Sequence, residues 1–380
     1  MNKRIVTIIV TLVITSAFIT GFCEENLSKV NGMQESSNNL VSPTSHESKS
    51  FDVNNKKIKA EVITIDLKNS KIELKTALAN GTIGAVDTIE NIANSNGAVA
   101  AINGTYFGAY TEDKDPYGVL VVQGKILHTG SHRSVFGFDK DNNVDIDILM
   151  PRIRGYNGEP KWKYSWNGYW LNHTPIKGGE SVIVYTPERG KKVRSDLGTN
   201  VIVKDGKITE ITEGNVDIPE NGLVINLYGS IKDQIFDRFE VGRSVEYNVD
   251  LYPKHKNDEF WKKVDGAVGA GPGLVWDGKV TLNLEEERFS EAKITSIAAA
   301  RSAIGFTKDK KLILLTTRRA TINDLAEMMV KLGCEKAMNL DGGASSGLYY
   351  NGKVITKPGR QISNAILIIE EEQNKELKEK

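Results

Sequence analysis

The chain has 380 residues, 49 acidic and 49 basic side chains, and 39% hydrophobic residues. That length can bury one large core or two small ones. A formal charge of zero gives no reason to propose nucleic acid as a partner.

Lys3 and Arg4 precede an uncharged, mostly apolar run from Ile5 to Phe22. A charged start followed by an apolar run reads as a secretory signal peptide, and its 18 residues also approach the lower limit for a membrane-spanning anchor. Residues 1–23 are therefore a targeting segment, and the remainder is expected to be extracellular or at the cell surface. A membrane contact is expected only through such an anchor. Cys23 and Cys334 are the only cysteines. Cleavage past Cys23 would leave no internal disulfide, and Cys334 reads as a small buried hydrophobe. Residues 24–56 are rich in Ser, Asn, Lys and Glu and read as a disordered linker, with order expected from Lys57.

Ile58–Asp66 and Lys71–Ala77 alternate apolar and polar residues around Asn69-Ser70, which predicts a β-hairpin. Val86 to Ala93 has helical spacing and Gly97 ends it. Ala98–Gly108 is a small-residue strand running into Asn103-Gly104, with Tyr106 and Phe107 behind. Gly118–Lys125 predicts a hairpin, followed by a strand at His132–Phe138. His128 and His132 are four apart, but Gly130 and the strand pattern argue against a helical metal pair. Trp162, Tyr164, Trp166 and Trp170 are evenly spaced, so an extended chain would place them on one face, as a sugar-stacking surface or an apolar plug. Short strands with Gly-containing turns follow to Leu251, then a turn–strand–turn unit at Asp265–Lys279. Leu312–Thr316 is a strand, and Ile322–Leu332 an amphipathic helix with Thr321 or Asn323 as cap and Gly333 as stop. The Glu/Lys run at 371–380 is a solvated tail.

Lys336–Ile369 concentrates the chemistry. Asn339, Asp341, Gly342, Gly343, Ser345 and Ser346 lead into a strand, an Asn351-Gly352 hairpin signal and a closing apolar run that begins after Asn364. Gly343-Ala344-Ser345-Ser346-Gly347 matches G-x-S-x-G, but a strand follows the serine and no histidine lies beyond His255, so this is not a nucleophile elbow. Helix, small-residue strand, Asn turn, hairpin and Arg occur in the same order around Asn103 and Arg133 and around Asn339 and Arg360. That order raises a pseudo-symmetric repeat in which Asn103 and Asn339 approach one cleft from opposite sides.

NLDGG followed by two serines, SNA before a closing strand, NG before an aromatic pair, GPG before Asp277-Gly278, and Arg301 together resemble the phosphodiester glycosidase family, in its bacterial exopolysaccharide-associated branch. The resemblance covers roughly Lys57 to Ile369. Ser302 stands where the family typically has Thr, Ala344 where Gly is more usual, and Thr316–Asn323 where a Gly-containing loop is usual. It implies an α+β, β-rich domain over residues 57–370, with helices packed on mixed sheets. It also implies a hydrolase of glycosyl-1-phosphodiesters, N-acetylglucosamine-like, acting in cell-wall or exopolysaccharide metabolism on a glycan or glycosyl-phosphate substrate without a cofactor or metal.

Cleaving a sugar C1–O bond builds positive charge on the ring, which a carboxylate stabilises or relieves by activating water. The phosphate leaving group needs cations and N–H donors. Candidate catalytic residues are accordingly Asp341, Arg301, Glu287 and Asn103. Candidate substrate-binding residues are Gly104, Arg133, Asn339, Gly342, Gly343, Ser345, Ser346 and Asn364. Asp341 could equally cap its glycine turn, and the arginines could pair with surface acids. A non-catalytic glycan-binding or polysaccharide-assembly module, and a metal-dependent phosphodiesterase using Asp341, are the competing readings.

Overall fold

The computed structural model describes residues 42–371 except 132, 194 and 195. The targeting segment, residues 24–41 of the linker, His132 and residues 372–380 of the tail lie outside the described residues. No described helix is long and apolar enough to cross a membrane.

The described chain is β-rich with few helices, and three sheets each give one face to a shared core. The first is seven-stranded and includes Lys56–Asp66, Lys311–Ala320, Ala299–Thr307 and Cys334–Asn339 as its inner strands. The second is five-stranded, with Ala98–Asn103 between Leu348–Tyr350 and Asn364–Glu370. The third contains Arg133–Phe138 between Val144–Tyr156 and Gly266–Gly269. Ile65, Ile304 and Met338 from the first sheet, Ile102 and Ile366 from the second, and Phe136 and Val268 from the third meet in this core.

The outer faces are covered by helices. In Asn364–Glu370, Ile366 and Ile368 point into the shared core, while Ala365, Leu367 and Ile369 pack with Ile89 and Ile92 of the Ile89–Asn94 helix. This is the period-two alternation of a strand buried on both faces. On the first sheet, Leu325, Ala326, Met328 and Met329 of the Ile322–Lys331 helix pack onto Ala303, Leu315 and Ala337. That helix begins at Thr321, whose hydroxyl accepts from the Asp324 N–H while the Asp324 carboxylate accepts from the Thr321 N–H, a reciprocal capping box. A further five-stranded sheet, with Ser181–Tyr185, Gly222–Tyr228 and Thr199–Lys204 at its centre, has its own core around Val184, Val201 and Ile225.

Several elements depart from the sequence expectations. Lys56–Asp66 and Ile72–Leu78 do not form a hairpin. They belong to the first and second sheets, because Ile63, Ile65, Ile72 and Leu74 cover opposite sides of the shared core. The real hairpin partner of Lys56–Asp66 is Thr44–Val53, joined through Asn54 (φ 48°) and Asn55 (φ 59°), the left-handed pair of a tight hairpin turn. Ordered structure therefore starts inside the segment expected to be a linker. Only Phe51 and Val53 near its end are buried apolar residues, so this charged edge strand reads as polar tether in sequence.

The evenly spaced aromatics do not share a face. Trp166 is a core residue donating to Asn157 Oδ1 at 2.8 Å, Trp162 is exposed, Tyr164 lies under Arg243, and Trp170 stacks on His173 at 4.5 Å. Cys334 is buried as expected, and burial pushes its thiol up to about 12. Strand pairing crosses between the two stretches of the sequence repeat: the Leu348–Thr356 hairpin pairs with Ala98–Asn103, and Cys334–Asn339 pairs with Gly273–Trp276.

Phe51→Ala in the full chain is expected to lower unfolding stability by about 3–5 kcal/mol, read from the urea midpoint. A change within about 0.5 kcal/mol would instead mark the segment as a tether.

Candidate functional site

The strands Ala98–Asn103, Ala299–Thr307 and Cys334–Asn339 bring their functional residues together beside a cleft of about 570 Å³. The Asn103-Gly104 turn and the Asp341 turn are laced backbone to backbone. Asp341 N–H donates to the Gly104 carbonyl at 3.0 Å, and the Asn103 amide donates to the Asp341 carbonyl at 2.7 Å. Asn103 Oδ1 also accepts from the Ser302 hydroxyl at 2.7 Å and Gly347 N–H at 3.0 Å. The contact uses the hydroxyl of Ser302, a group that Thr also carries.

Asn103 is buried, and its oxygen and one amide N–H are bonded inside the protein, tying its turn to the Asp341 backbone. Gly104 sits so close to Asn364 that a β-carbon would overlap Asn364 Oδ1, which accepts from Thr105 N–H at 3.0 Å. Asn364 likewise holds the turn. Asn339 donates to the Gly271 carbonyl at 2.9 Å and the Tyr106 hydroxyl at 2.7 Å, while its Oδ1 is buried without a partner among the described residues.

Asp341 itself lines the cleft with Gly342, Gly343 and Ser345. Its Oδ1 accepts from Gly342 N–H at 2.8 Å. Gly342 passes within 2.9 Å of the Ala300 carbonyl at its β-carbon position, and Gly343 takes φ 60° to start a single 3₁₀ turn over Gly343–Ser345. Desolvation in the half-buried site raises the Asp341 carboxyl to about 6, opposed by hydrogen bonds from Ser345 and Gly342 and by the charges of Arg360 and Lys293. Ser346 is buried, and its hydroxyl has no partner among the described residues.

Two arginines line the same cleft in different ways. Arg301 is buried, with Nε donating to the Ala320 carbonyl and Nη2 to the carbonyls of Lys293, Ile294 and Ile297, the last at 2.7 Å. The Thr316–Asn323 departure contributes here: the strand runs on to Ala320, whose carbonyl orients the guanidinium. The Arg133 guanidinium has no hydrogen-bond partner among the described residues. It lies 4.1 Å from the Phe289 ring centre and its Nε is buried unpaired. Burial lowers both guanidinium groups from their ordinary range. Burial also drives the Tyr106 hydroxyl far upward, Asp341 adding to that shift while Arg301 and Arg133 oppose it.

Glu287 does not line the cleft. Its two oxygens accept from Ser134 and Gly273 N–H groups, each at 2.7 Å, and tie together the segments behind Arg133. The sequence reading also left out Tyr106, Tyr110, Lys293 and Arg360 as site residues. Tyr110 is almost fully exposed and accepts from Arg360 at 2.8 Å. Tyr106 belongs to the aromatic pair after Asn103-Gly104, and Arg360 to the repeat pattern, so both had a signal. Lys293 had none. Among the described residues, no group of three or more His, Cys, Asp or Glu is arranged to hold a metal ion.

Two solved structures share this fold, and a family sequence model matches part of the chain. Residues 198–369 match the sequence model of the phosphodiester glycosidase family. A hypothetical protein from Synechocystis aligns over 87% of this chain with a TM-score of 0.77 and 21% identity; the chain spans 62% of that protein's length. A Burkholderia pseudomallei K96243 protein thought to be exported aligns over 82% of this chain and 74% of its own, with a TM-score of 0.69 and 17% identity. The catalytic domain of zebrafish N-acetylglucosamine-1-phosphodiester alpha-N-acetylglucosaminidase, auto-inhibited by its pro-peptide, aligns over 86% and 83% with a TM-score of 0.47 and 14% identity. No curated protein matches the chain.

Because the Asp341 carboxyl is raised in the folded state, ionising it costs stability. The cost is absent below about pH 4, grows between the unfolded and folded values, and is complete above about pH 6. Asp341→Asn, which keeps the acceptor for Gly342, is expected to stabilise the protein by about 1–3 kcal/mol at pH 7.5. Thermal melts should show that gain vanishing near pH 4.

Proposed function

With residues 198–369 matched to the phosphodiester glycosidases, we propose that the protein is a hydrolase cleaving the sugar–phosphate bond of glycosyl-1-phosphodiesters. The sugar is N-acetylglucosamine-like, and the setting is exopolysaccharide or cell-wall metabolism outside the cell. The observation that carries this reading is one cleft holding the Asp341 carboxyl together with the unpaired guanidinium of Arg133 and the buried, carbonyl-oriented guanidinium of Arg301.

Arg133 and Arg301 would take the phosphate, because planar guanidinium donors match two phosphate oxygens and strengthen as negative charge grows on the departing group. Asp341 would face the anomeric carbon. As C1–O cleaves, positive charge spreads over the ring and the ionised carboxylate stabilises it. Water adds its hydroxyl to C1, and its proton passes to the carboxylate and then to the phosphate monoester or solvent. A carboxyl near 6 is matched to that transfer, since the second ionisation of a phosphate monoester also lies near about 6. Asn103, Gly104 and Asn364 hold the turn, and Glu287 supports Arg133 from behind. The Lys3-Arg4 charge and the apolar run after it support export. The alternative of a glycan-binding module relied on one aromatic face, and the structure divides those aromatics between core and surface.

The test is release of free reducing sugar from N-acetylglucosamine-1-phosphodiesters. Asp341→Asn is expected to abolish release, and wild-type kcat should fall about tenfold per pH unit below pH 6 as Asp341 protonates. Turnover by Asp341→Asn equal to wild type would remove Asp341 from the chemistry; no turnover by wild type across a sugar panel would remove the hydrolase. Arg133→Ala is expected to weaken kcat/KM about 10- to 100-fold for phosphodiesters, the worth of a charge-assisted contact. An unchanged kcat/KM would place the phosphate elsewhere.

A further inference from the structure

A larger concavity, of about 930 Å³, lies apart from the cleft just described, with no lining residue in common. It is bordered by the strand Ile72–Leu78, the helix Ile89–Asn94 and the turn joining Leu120–Val122 to Lys125–His128. Its volume is within the range of about 300–1,000 Å³ typical of sites that enclose a small ligand. Its lining, however, is polar in a particular way.

The charged side chains in it largely cancel. Lys125 pairs with Glu188, and Asp87 accepts from Thr88 N–H at 2.7 Å and from the Asn91 amide at 2.8 Å. Lys75 is the one charged lining residue left without a partner among the described residues. What remains is a set of carboxamides with open hydrogen-bonding capacity. Asn80 and Gln123 make no side-chain hydrogen bond within the described residues. Asn94 uses its oxygen to accept from the Tyr349 hydroxyl at 2.6 Å, leaving its NH₂ group. Asn96 uses its NH₂ on the Ile92 carbonyl at 2.8 Å, leaving its oxygen. Thr76, 2% exposed, is also among the lining residues, and its hydroxyl has no partner among the described residues. A buried hydroxyl without a partner is costly, and a bound hydroxyl-bearing group is one way to complete its bonding.

We propose that this groove is a second binding site, for an uncharged, hydroxyl-rich oligosaccharide. Each sugar hydroxyl both donates and accepts, and a carboxamide offers one acceptor and two donors at fixed spacing, so neighbouring hydroxyls pair with one amide. A polyanion would find only Lys75 to meet its charge, and an apolar ligand would leave the amides and the Thr76 hydroxyl unpaired. The groove sits on the sheet that carries the catalytic turn, since Leu78 is paired in register with Asn364. The proposal does not depend on the hydrolase reading, because none of these residues touches Asp341 or the arginines.

Isothermal titration of the full chain with a tetramer of N-acetylglucosamine, a tetramer of glucose and a sulfated tetrasaccharide tests it. At least one neutral tetramer is expected to bind with Kd at or below about 1 mM, and tighter than the sulfated one. Thr76→Val, which keeps shape and removes the hydroxyl, and the pair Asn80→Ala with Gln123→Ala should each weaken that binding about tenfold. Their melting curves and their turnover of a small glycosyl phosphodiester should be unchanged, and Asp341→Asn should leave the oligosaccharide affinity intact. No binding of either neutral tetramer at about 10 mM would overturn the proposal. So would binding that Asp341→Asn removes and the groove variants do not, because the ligand would then be in the catalytic cleft.

Discussion

The site depends on the pair of hydrogen bonds that fasten the Asp341 peptide to the Asn103-Gly104 turn. These turns end inner strands of two different sheets, so neither can move without dragging its sheet. The lacing determines where the carboxyl points, and burial determines its protonation. An isolated glycine-flanked aspartate in water would titrate near its ordinary value. Here the surrounding protein withholds enough solvent to raise it to about 6, although two hydrogen bonds and two cations act in the opposite direction. Desolvation therefore wins over charge at this position.

The same burial sets apart the two arginines. Arg301 is oriented by four backbone carbonyls, which satisfy its inner nitrogens without neutralising its charge. Arg133 is supported by an aromatic face, and Glu287, whose charge acts on it, has both oxygens engaged by backbone N–H groups. A cation held by a ring and by a distance-limited charge keeps its donors available for a ligand. This arrangement suits an anionic group that arrives and leaves, whereas a permanent ion pair would not.

The three-sheet core explains why such a site can be rigid. Each sheet contributes one apolar face to a common interior, and each of the first two is closed on its outer face by a helix. Strand ends at the meeting edge are then determined by packing on both faces of the strand, and a slip of one residue would turn the buried set of Asn364–Glu370 inside out. The larger amide-lined groove borders the same second sheet, so both concavities inherit their geometry from one scaffold.

Much of this was legible in the residues. The Gly-rich NLDGG turn, the Asn351-Gly352 hairpin and the Thr321-capped helix depend on local preferences of a few consecutive residues, and the structure has each of them. The residue types that line the cleft, a carboxylate and arginines, were also visible. Other features were decided by tertiary structure because they concern which surfaces meet. Lys56–Asp66 and Ile72–Leu78 look like a hairpin in sequence, yet the core needs them on opposite walls. Glu287 looks like a second catalytic acid, yet folding turns it onto two backbone N–H groups. Lys293, with no motif of its own, is brought close enough to bias the Asp341 carboxyl. Local chemistry and turn geometry are written in short stretches of chain, whereas burial, and with it charge state and accessibility, exists only once distant stretches exclude water from one another.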